Sequence, residues 1–200
     1  MERPQGPYFS LFQEKGIFYQ QKDSVLTVRG TLSPGRYSLP GDVSSQFITG
    51  LLFVLPLLDG DSDLVLTSPL ESRGYVDLTL DVLRTFGIRV EERADAFHVP
   101  GSQHYESRDF TVEADWSQAA FWYAANFAGG QVDIQGLNMD SKQGDKVIAL
   151  QYWQLAKPGE AELDVSQCPD LVPPLAAMAA VRAGTTHFTH AARLRMKESD

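Results

Sequence analysis

Two adjacent serines followed by glutamine, Ser44-Ser45-Gln46, stand where a helix is expected to begin, as do Ser72-Arg73 and Ser117-Gln118. A helix start offers unpaired backbone N–H groups and a partial positive charge, and hydroxyls beside it donate to phosphate oxygens, so each is a candidate anion site. Taken singly, the same residues are ordinary caps, because Ser and Asp are preferred N-cap types. One serine is enough for a cap, so Ser44, Ser45 and Gln46 together supply more donors than their helix requires. At the other end of the chain, Arg193-Leu194-Arg195-Met196-Lys197-Glu198-Ser199-Asp200 gathers three basic groups and two acids. Lys197 beside Glu198 is what a proton-transfer site needs, since each neighbour shifts the other's proton affinity and fixes its orientation; a solvated charged helix end is the alternative. Asp170 follows Pro169 at a helix start, where capping is the simplest role, and Tyr75 serves equally well as a core residue or a ligand platform.

The 200 residues that must position these groups make one large domain or two small ones, since domains run to about 100–200 residues. With 43% hydrophobic and 22% charged residues, the composition excludes a disordered, collagen-like or coiled-coil chain. A net charge of −9 repels a phosphate backbone, which argues against nucleic-acid binding and means that any anionic ligand must be held by local groups. A single cysteine, Cys168, cannot form an internal disulfide. His98, His104, His187 and His190 are scattered without metal-ligand spacing, so the chain reads as cytosolic and metal-free. The longest apolar run, Phe47 to Leu58, is interrupted by Thr49, Gly50 and Pro56 and is shorter than the roughly 20 residues of a membrane helix. The residues Met1-Glu2-Arg3-Pro4 do not open an apolar secretion signal. No phosphate-binding glycine loop and no Ser-His-Asp order is present.

The chain repeats itself. Glu2-Arg3-Pro4 is expected to open a helix to about Glu14, ended by Gly16 and followed by paired strands at Ile17–Tyr19 and Val25–Val28 closed by Arg29-Gly30. The same order returns with a helix from Glu71-Ser72-Arg73, a stop at Gly87, and a hairpin of Ile88–Val90 with Phe97–Val99 closed by Pro100-Gly101. Gly16 with Gly87, and Gly30 with Gly101, give an offset of about seventy residues. The other half of the unit occurs three times. Gly41-Asp42-Val43-Ser44-Ser45-Gln46 leads through an apolar helix to a strand at Leu64–Thr67. Glu113-Ala114-Asp115-Trp116-Ser117-Gln118 leads through a helix around Phe121–Phe127 to Gly129-Gly130 and a strand at Gln131–Gln135. Cys168-Pro169-Asp170 leads through Leu171–Val181 to Ala183-Gly184 and a strand at Thr185–Thr189. The reading is an α+β fold of strand-helix-strand-helix-hairpin units with apolar helices beneath sheets. Both ends cut a unit, so an apolar face or sheet edge is expected to lie uncovered, to be met by a partner, by self-association or by further chain.

Glu2-Arg3-Pro4, Gly41-Asp42-Val43-Ser44-Ser45-Gln46-Phe47, Ser72-Arg73-Gly74-Tyr75, Gln143-Gly144-Asp145, Pro169-Asp170 and Arg195-Met196-Lys197-Glu198-Ser199-Asp200 together resemble the 5-enolpyruvylshikimate-3-phosphate synthases, the 3-phosphoshikimate 1-carboxyvinyltransferases. The likeness covers essentially the whole chain. It implies the enolpyruvyl transferase fold, an inside-out α/β barrel of repeated βαβαββ units in two lobes. On that likeness residues 1–112 form part of a first lobe on the shikimate 3-phosphate side. Residues 113–200 form part of a second lobe on the phosphoenolpyruvate and catalytic side, truncated at both ends. The implied reaction is transfer of the enolpyruvyl group from phosphoenolpyruvate to the 5-hydroxyl of shikimate 3-phosphate, in aromatic amino-acid biosynthesis, without a metal or organic cofactor.

Residue by residue, the resemblance implies that Ser44, Ser45 and Ser72 hold the 3-phosphate, Gln46 contacts the ring or the incoming carboxyvinyl group, and Tyr75 lies against the ring. Arg3 corresponds to an arginine that binds phosphoenolpyruvate. Asp170 and Lys197 contact the reacting hydroxyl, and Glu198 exchanges protons with the vinyl carbon. Arg193 stands where many members have Asn, and the stretch between Gln154 and Leu163 is shorter than the family usually shows. The rivals are the sister enzyme acting on UDP-N-acetylglucosamine, whose reactive cysteine is unmatched here, and a fragment or degenerate relative that only binds ligand. The 200 residues alone are expected to turn over no substrate.

Overall fold

The computed structural model describes residues 5–196. The elements run α1 (Gly6–Glu14), β1 (Phe18–Lys22), β2 (Val25–Arg29), β3 (Gly35–Leu39), α2 (Ser45–Val54), β4 (Ser62–Leu66), α3 (Arg73–Thr85), β5 (Glu91–Arg93) and β6 (Ala96–Val99). They continue with α4 (Trp116–Phe127), α5 (Ile148–Leu155), β7 (Ala161–Asp164), α6 (Val172–Val181) and β8 (Thr186–Thr189). Short 3₁₀ turns lie at Gly144–Val147, Pro169–Leu171 and Ala192–Met196. The chain divides into two compact units, one of the described residues up to Glu71 with Thr79–Arg108, the other of Ser72–Leu78 with those from Asp109 onward.

In the first unit, β3, α2, β4, α3, β5 and β6 follow one another as strand, helix, strand, helix and hairpin. Their sheet has the order β3-β4-β6-β5, with β3 and β4 parallel and the other pairs antiparallel. The parallel pair requires a crossover, and α2 supplies it. Tyr37, Leu39, Ile48, Leu52, Leu64, Leu83 and Phe97 form a core in which none is more than 2% exposed. In the second unit, Trp116, Ile148, Leu155, Leu163, Leu171, Leu175 and Met178 close a core around α4, α5 and α6, with β7 and β8 paired in parallel.

Why Gly16 and Gly87 mark the repeat is visible in the backbone. In α1 the Gly16 N–H donates to the Gln13 carbonyl and the Ile17 N–H to that of Phe12; in α3 Gly87 donates to Arg84 and Ile88 to Leu83. Both glycines hold a left-handed φ, +66° and +83°, and both following isoleucines are buried. This is the cap that ends a helix by satisfying its last carbonyls, and it places a glycine at the turning residue. In α4 it recurs, with Gly129 at φ +100° donating to Asn126 and Gly130 to Ala125.

Several expectations need correction. The strand expected at Gln131–Gln135 does not form. Its residues find no ladder partner, and Val132 instead exchanges two hydrogen bonds with the Asn126 side chain, which ties the segment back to α4. The strand expected at Ile88–Val90 begins at Glu91, because Ile88 is used by the helix cap. The sequence reading gave no strand at β3; the alternation that buries Tyr37 and Leu39 was its signal. Helix α4 begins at Trp116, ahead of the expected Phe121, and α1 at Gly6, the stretch ahead of Gln5 lying outside the described residues. Between α5 and β7, where the first unit has its β5–β6 hairpin, no strand intervenes.

Each unit leaves apolar side chains in solvent: Phe18, Val25, Leu26 and Val28 on the two-stranded β1–β2 ribbon, and Phe121, Trp122, Leu150 and Trp153 on α4 and α5. No helix among the described residues is long and apolar enough to cross a membrane. A Cβ at Gly16 would meet nothing within 4 Å, so Gly16→Ala isolates the conformational cost of the left-handed cap. It should lower stability in urea denaturation by about 1 kcal/mol. Gly87→Ala, where the Cβ would also press on the Glu106 side chain, should cost more.

Candidate functional site

In the first unit, Ser44 is the N-cap of α2 and its hydroxyl accepts from the Gln46 N–H at 3.3 Å. Ser45 is buried at the first helical position and Gln46 is exposed beside it. The loop ahead of them is fixed from behind. The Ser68 hydroxyl accepts from the Gly41 N–H and donates to Asp42, while the Glu71 N–H donates to the Gly41 carbonyl. A Cβ on Gly41 would come within 2.7 Å of the Ser68 carbonyl, so only glycine allows the two loops to lie this close. No acidic residue occupies the first turn of α2, which leaves its positive end uncompensated.

The second unit gathers more. Ser72 is 2% exposed with a left-handed φ of +54°, and its hydroxyl accepts from Arg193 Nη1 at 3.0 Å. Arg193 therefore keeps a contact with an expected phosphate ligand, although the family pattern has another residue there. The Arg73 N–H at the start of α3 donates to the Gln167 side chain. One turn into the helix, the Tyr75 hydroxyl lies 2.7 Å from Asp145 Oδ2 and 3.0 Å from Asp170 Oδ2. Asp170 is exposed and Asp145 is buried. Burial pushes the Asp145 carboxyl above the usual range, Asp170 and Asp115 add to this, and the Ser117 and Tyr75 hydroxyls oppose it. Tyr75 is itself held firmly neutral, first by burial and then by the two carboxylates.

Asp145 is the residue whose role the sequence reading missed; the Gln143-Gly144-Asp145 motif was its signal. Ser117, expected as a helix-start donor for an anion, does something else. The Asp115 carboxylate caps α4, accepting from the Ser117 and Gln118 N–H groups, so that helix end is already occupied by a negative charge. The Ser117 hydroxyl turns to Asp145 Oδ2 at 2.5 Å. An open groove of about 430 Å³ between α4 and residues 132–137 has Asp115 and Asp133 in its lining, the wrong sign for a phosphorylated ligand. Arg3, Lys197 and Glu198 lie outside the described residues. Among the described residues no cluster of three His, Cys, Asp or Glu could hold a metal. Cys168 is buried, and desolvation raises its thiol to about 11, so it is no nucleophile.

The sequence pattern of the family described as EPSP synthase (3-phosphoshikimate 1-carboxyvinyltransferase) matches residues 2–200. The chain belongs to the EPSP synthase family. The 3-phosphoshikimate 1-carboxyvinyltransferase of Clostridium acetobutylicum is 45% identical over 218 aligned positions, covering 99% of this chain and 50% of that protein. The Clostridium kluyveri enzyme is 43% identical, covering 100% of this chain and 51% of that protein. The chain thus spans about half the length of these curated relatives. A solved EPSP synthase structure from Acinetobacter baumannii superposes with a TM-score of 0.70 over 99% of this chain and 51% of its own, at 21% identity, which shows the shared fold.

Two measurements follow for this EPSP synthase family chain. Gly74 lies so close to the Gly144 turn that a Cβ would sit 2.7 Å from the Gly144 nitrogen. Gly74→Ala should therefore force the backbones apart and cost about 1–3 kcal/mol in denaturant titration, whereas Gly6→Ala, with open space around it, should not. Cys168 should react with an alkylating reagent at neutral pH far more slowly than an ordinary free thiol near 8.5, and at an ordinary rate once urea unfolds the chain.

Proposed function

We propose that this chain supplies the shikimate 3-phosphate cradle and part of the acid–base apparatus of a 3-phosphoshikimate 1-carboxyvinyltransferase. The observation that carries the reading is the grouping on one short stretch, residues 72–75. There a hydroxyl held by a guanidinium, Ser72 with Arg193, sits three residues from a tyrosine hydroxyl directed at the exposed carboxylate of Asp170. The first arrangement suits a phosphate; the second suits a base beside a substrate hydroxyl.

In the reaction the 5-hydroxyl oxygen of shikimate 3-phosphate bonds to C2 of phosphoenolpyruvate, its proton leaves to a base, and a second proton arrives at C3. The tetrahedral adduct then loses a C3 proton as phosphate departs, giving the enolpyruvyl ether and inorganic phosphate. One base and one acid suffice. Asp170 is the candidate base and Glu198 the candidate acid, with Lys197 beside the reacting hydroxyl and Arg3 on phosphoenolpyruvate, a planar fork matched to its oxygens. Ser44, Ser45 and Ser72 hold the 3-phosphate, Gln46 faces the ring, and Tyr75, tethered by its hydroxyl, offers the ring a flat surface. In this reading residues 1–112 belong to the lobe that grips shikimate 3-phosphate and residues 113–200 to the lobe that works on phosphoenolpyruvate. With a net charge of −9 the chain does not attract polyanions in general, so affinity must come from these local donors.

Calorimetric or NMR titration of shikimate 3-phosphate into the chain tests the cradle. Saturable binding is expected, weakened roughly tenfold or more by each of Ser44→Ala, Ser45→Ala and Ser72→Ala, because a hydrogen bond to a charged group contributes about 1.5–3 kcal/mol. Binding that ignores all three substitutions would place the phosphate elsewhere.

A further inference from the structure

The protons around the Tyr75 hydroxyl can be counted. Tyr75 Oη lies 2.7 Å from Asp145 Oδ2 and 3.0 Å from Asp170 Oδ2, and Ser117 Oγ lies 2.5 Å from that same Asp145 oxygen. Three oxygen-to-oxygen contacts need three protons, and the two hydroxyls own only two. With both carboxylates ionised, one contact would set lone pair against lone pair. Asp145 is 1% exposed, and its other oxygen, Oδ1, is buried with no hydrogen-bond partner among the described residues. A buried carboxylate anion left short of donors is strongly disfavoured.

We propose that Asp145 is a positioning residue that keeps the third proton and, through the Tyr75 hydroxyl, orients Asp170. Asp145 donates to Tyr75 Oη, Tyr75 donates to Asp170 Oδ2, and Ser117 donates to Asp145. The pair of aspartates then carries one negative charge, and that charge sits on Asp170, the exposed member, which is left ionised and aimed. The functional consequence rests on the reading of Asp170 as the base of enolpyruvyl transfer.

The charged and titratable groups around Asp145 agree with a retained proton. From α4 comes the Asp115 carboxylate and from the Pro169–Leu171 turn that of Asp170, and both oppose ionisation after burial itself. From α3 comes the neutral Tyr75, and from the loop before α6 the neutral thiol of Cys168. The neighbouring Lys146 sends its ammonium to the Met139 and Ser141 carbonyls instead.

The test is infrared and carboxyl-carbon NMR spectroscopy of the substrate-free chain at pH about 6, roughly two units above an ordinary aspartic acid. The unmodified chain should show one protonated aspartic carboxyl. Its signal should vanish in Asp145→Asn and persist but shift in Tyr75→Phe and in Ser117→Ala, two variants that leave both carboxyls in place. Absence of a protonated carboxyl in the unmodified chain, its survival in Asp145→Asn, or an unshifted signal in both hydroxyl variants would overturn the proposal. Urea unfolding gives a second readout with a fixed sign. A proton held more tightly in the folded than in the unfolded chain stabilises at low pH, and that contribution is lost as pH rises past the ordinary carboxylate range. The loss should be absent in Asp145→Asn. Titration of shikimate 3-phosphate into the same samples separates the two ideas: failure to bind sinks the functional reading and leaves the carboxyl signal untouched, while loss of the signal alone sinks this inference.

Discussion

One buried carboxyl group organises the second unit. Asp145 meets a hydroxyl from the first turn of α3 and another from the first turn of α4, so two helix starts are referenced to a single oxygen atom. Removing a polar group from water is unfavourable unless its hydrogen bonds are replaced, and those bonds act only over a narrow range of distance and angle. That cost makes the arrangement specific. A shift of either helix start would leave the carboxyl group short of a hydrogen-bond partner in a site that water does not reach. Tyr75 therefore has a fixed position from which to address Asp170, and Ser72, three residues earlier, is fixed in turn by Arg193.

The electrostatic layout separates helix ends by what stands in front of them. Helix α4 has its own carboxylate, Asp115, bound across its first amides, and the groove beside it is acidic. The start of α2 has a serine cap instead, with no acid in its first turn, whereas at α3 the Arg73 N–H is taken by the Gln167 side chain. A helix end that has satisfied its dipole internally has little left for a ligand, whereas one capped by a neutral hydroxyl keeps its positive potential. In a chain with an excess of acidic residues, a helix start without an acid gives negative charge a local place without a generally basic surface.

The fold was legible where a single residue type is required by backbone geometry. Gly16, Gly87 and Gly129 could be placed because a left-handed cap tolerates little else, and each marked a real helix end. Strands were legible only where their partners are present. The apolar alternation at Gln131–Gln135 looks like β4, but a ladder needs a neighbour with free backbone groups, and none of the described residues provides one. Pattern alone carries no information about that. At the candidate site the hydroxyl-bearing helix starts are visible in the sequence as Ser44, Ser45, Ser72 and Ser117, while the partner of each hydroxyl is not: Ser44 accepts from the Gln46 N–H and Ser72 from Arg193. Ser117 has the same setting in the sequence, but Asp115 caps its helix and Asp145 takes its hydroxyl.

The Gln143-Gly144-Asp145 motif shows why three consecutive residues can matter together although no chemistry follows from their types. Gln143 accepts from the Trp116 N–H and donates to the Ala114 carbonyl, which fixes the backbone entering α4. Gly144 lies against Gly74, where a Cβ on Gly74, though not one on Gly144, would press within 2.7 Å of the facing backbone. Asp145 then meets hydroxyls from both sides. The first sets where Ser117 stands, the second packs against Gly74 of α3, and the third joins the hydroxyls of the two helices. A substitution at Gln143, at Asp145 or at the facing Gly74 should therefore disturb Tyr75 and Asp170, because the hydrogen bond at the centre forms only when both approaches are correct.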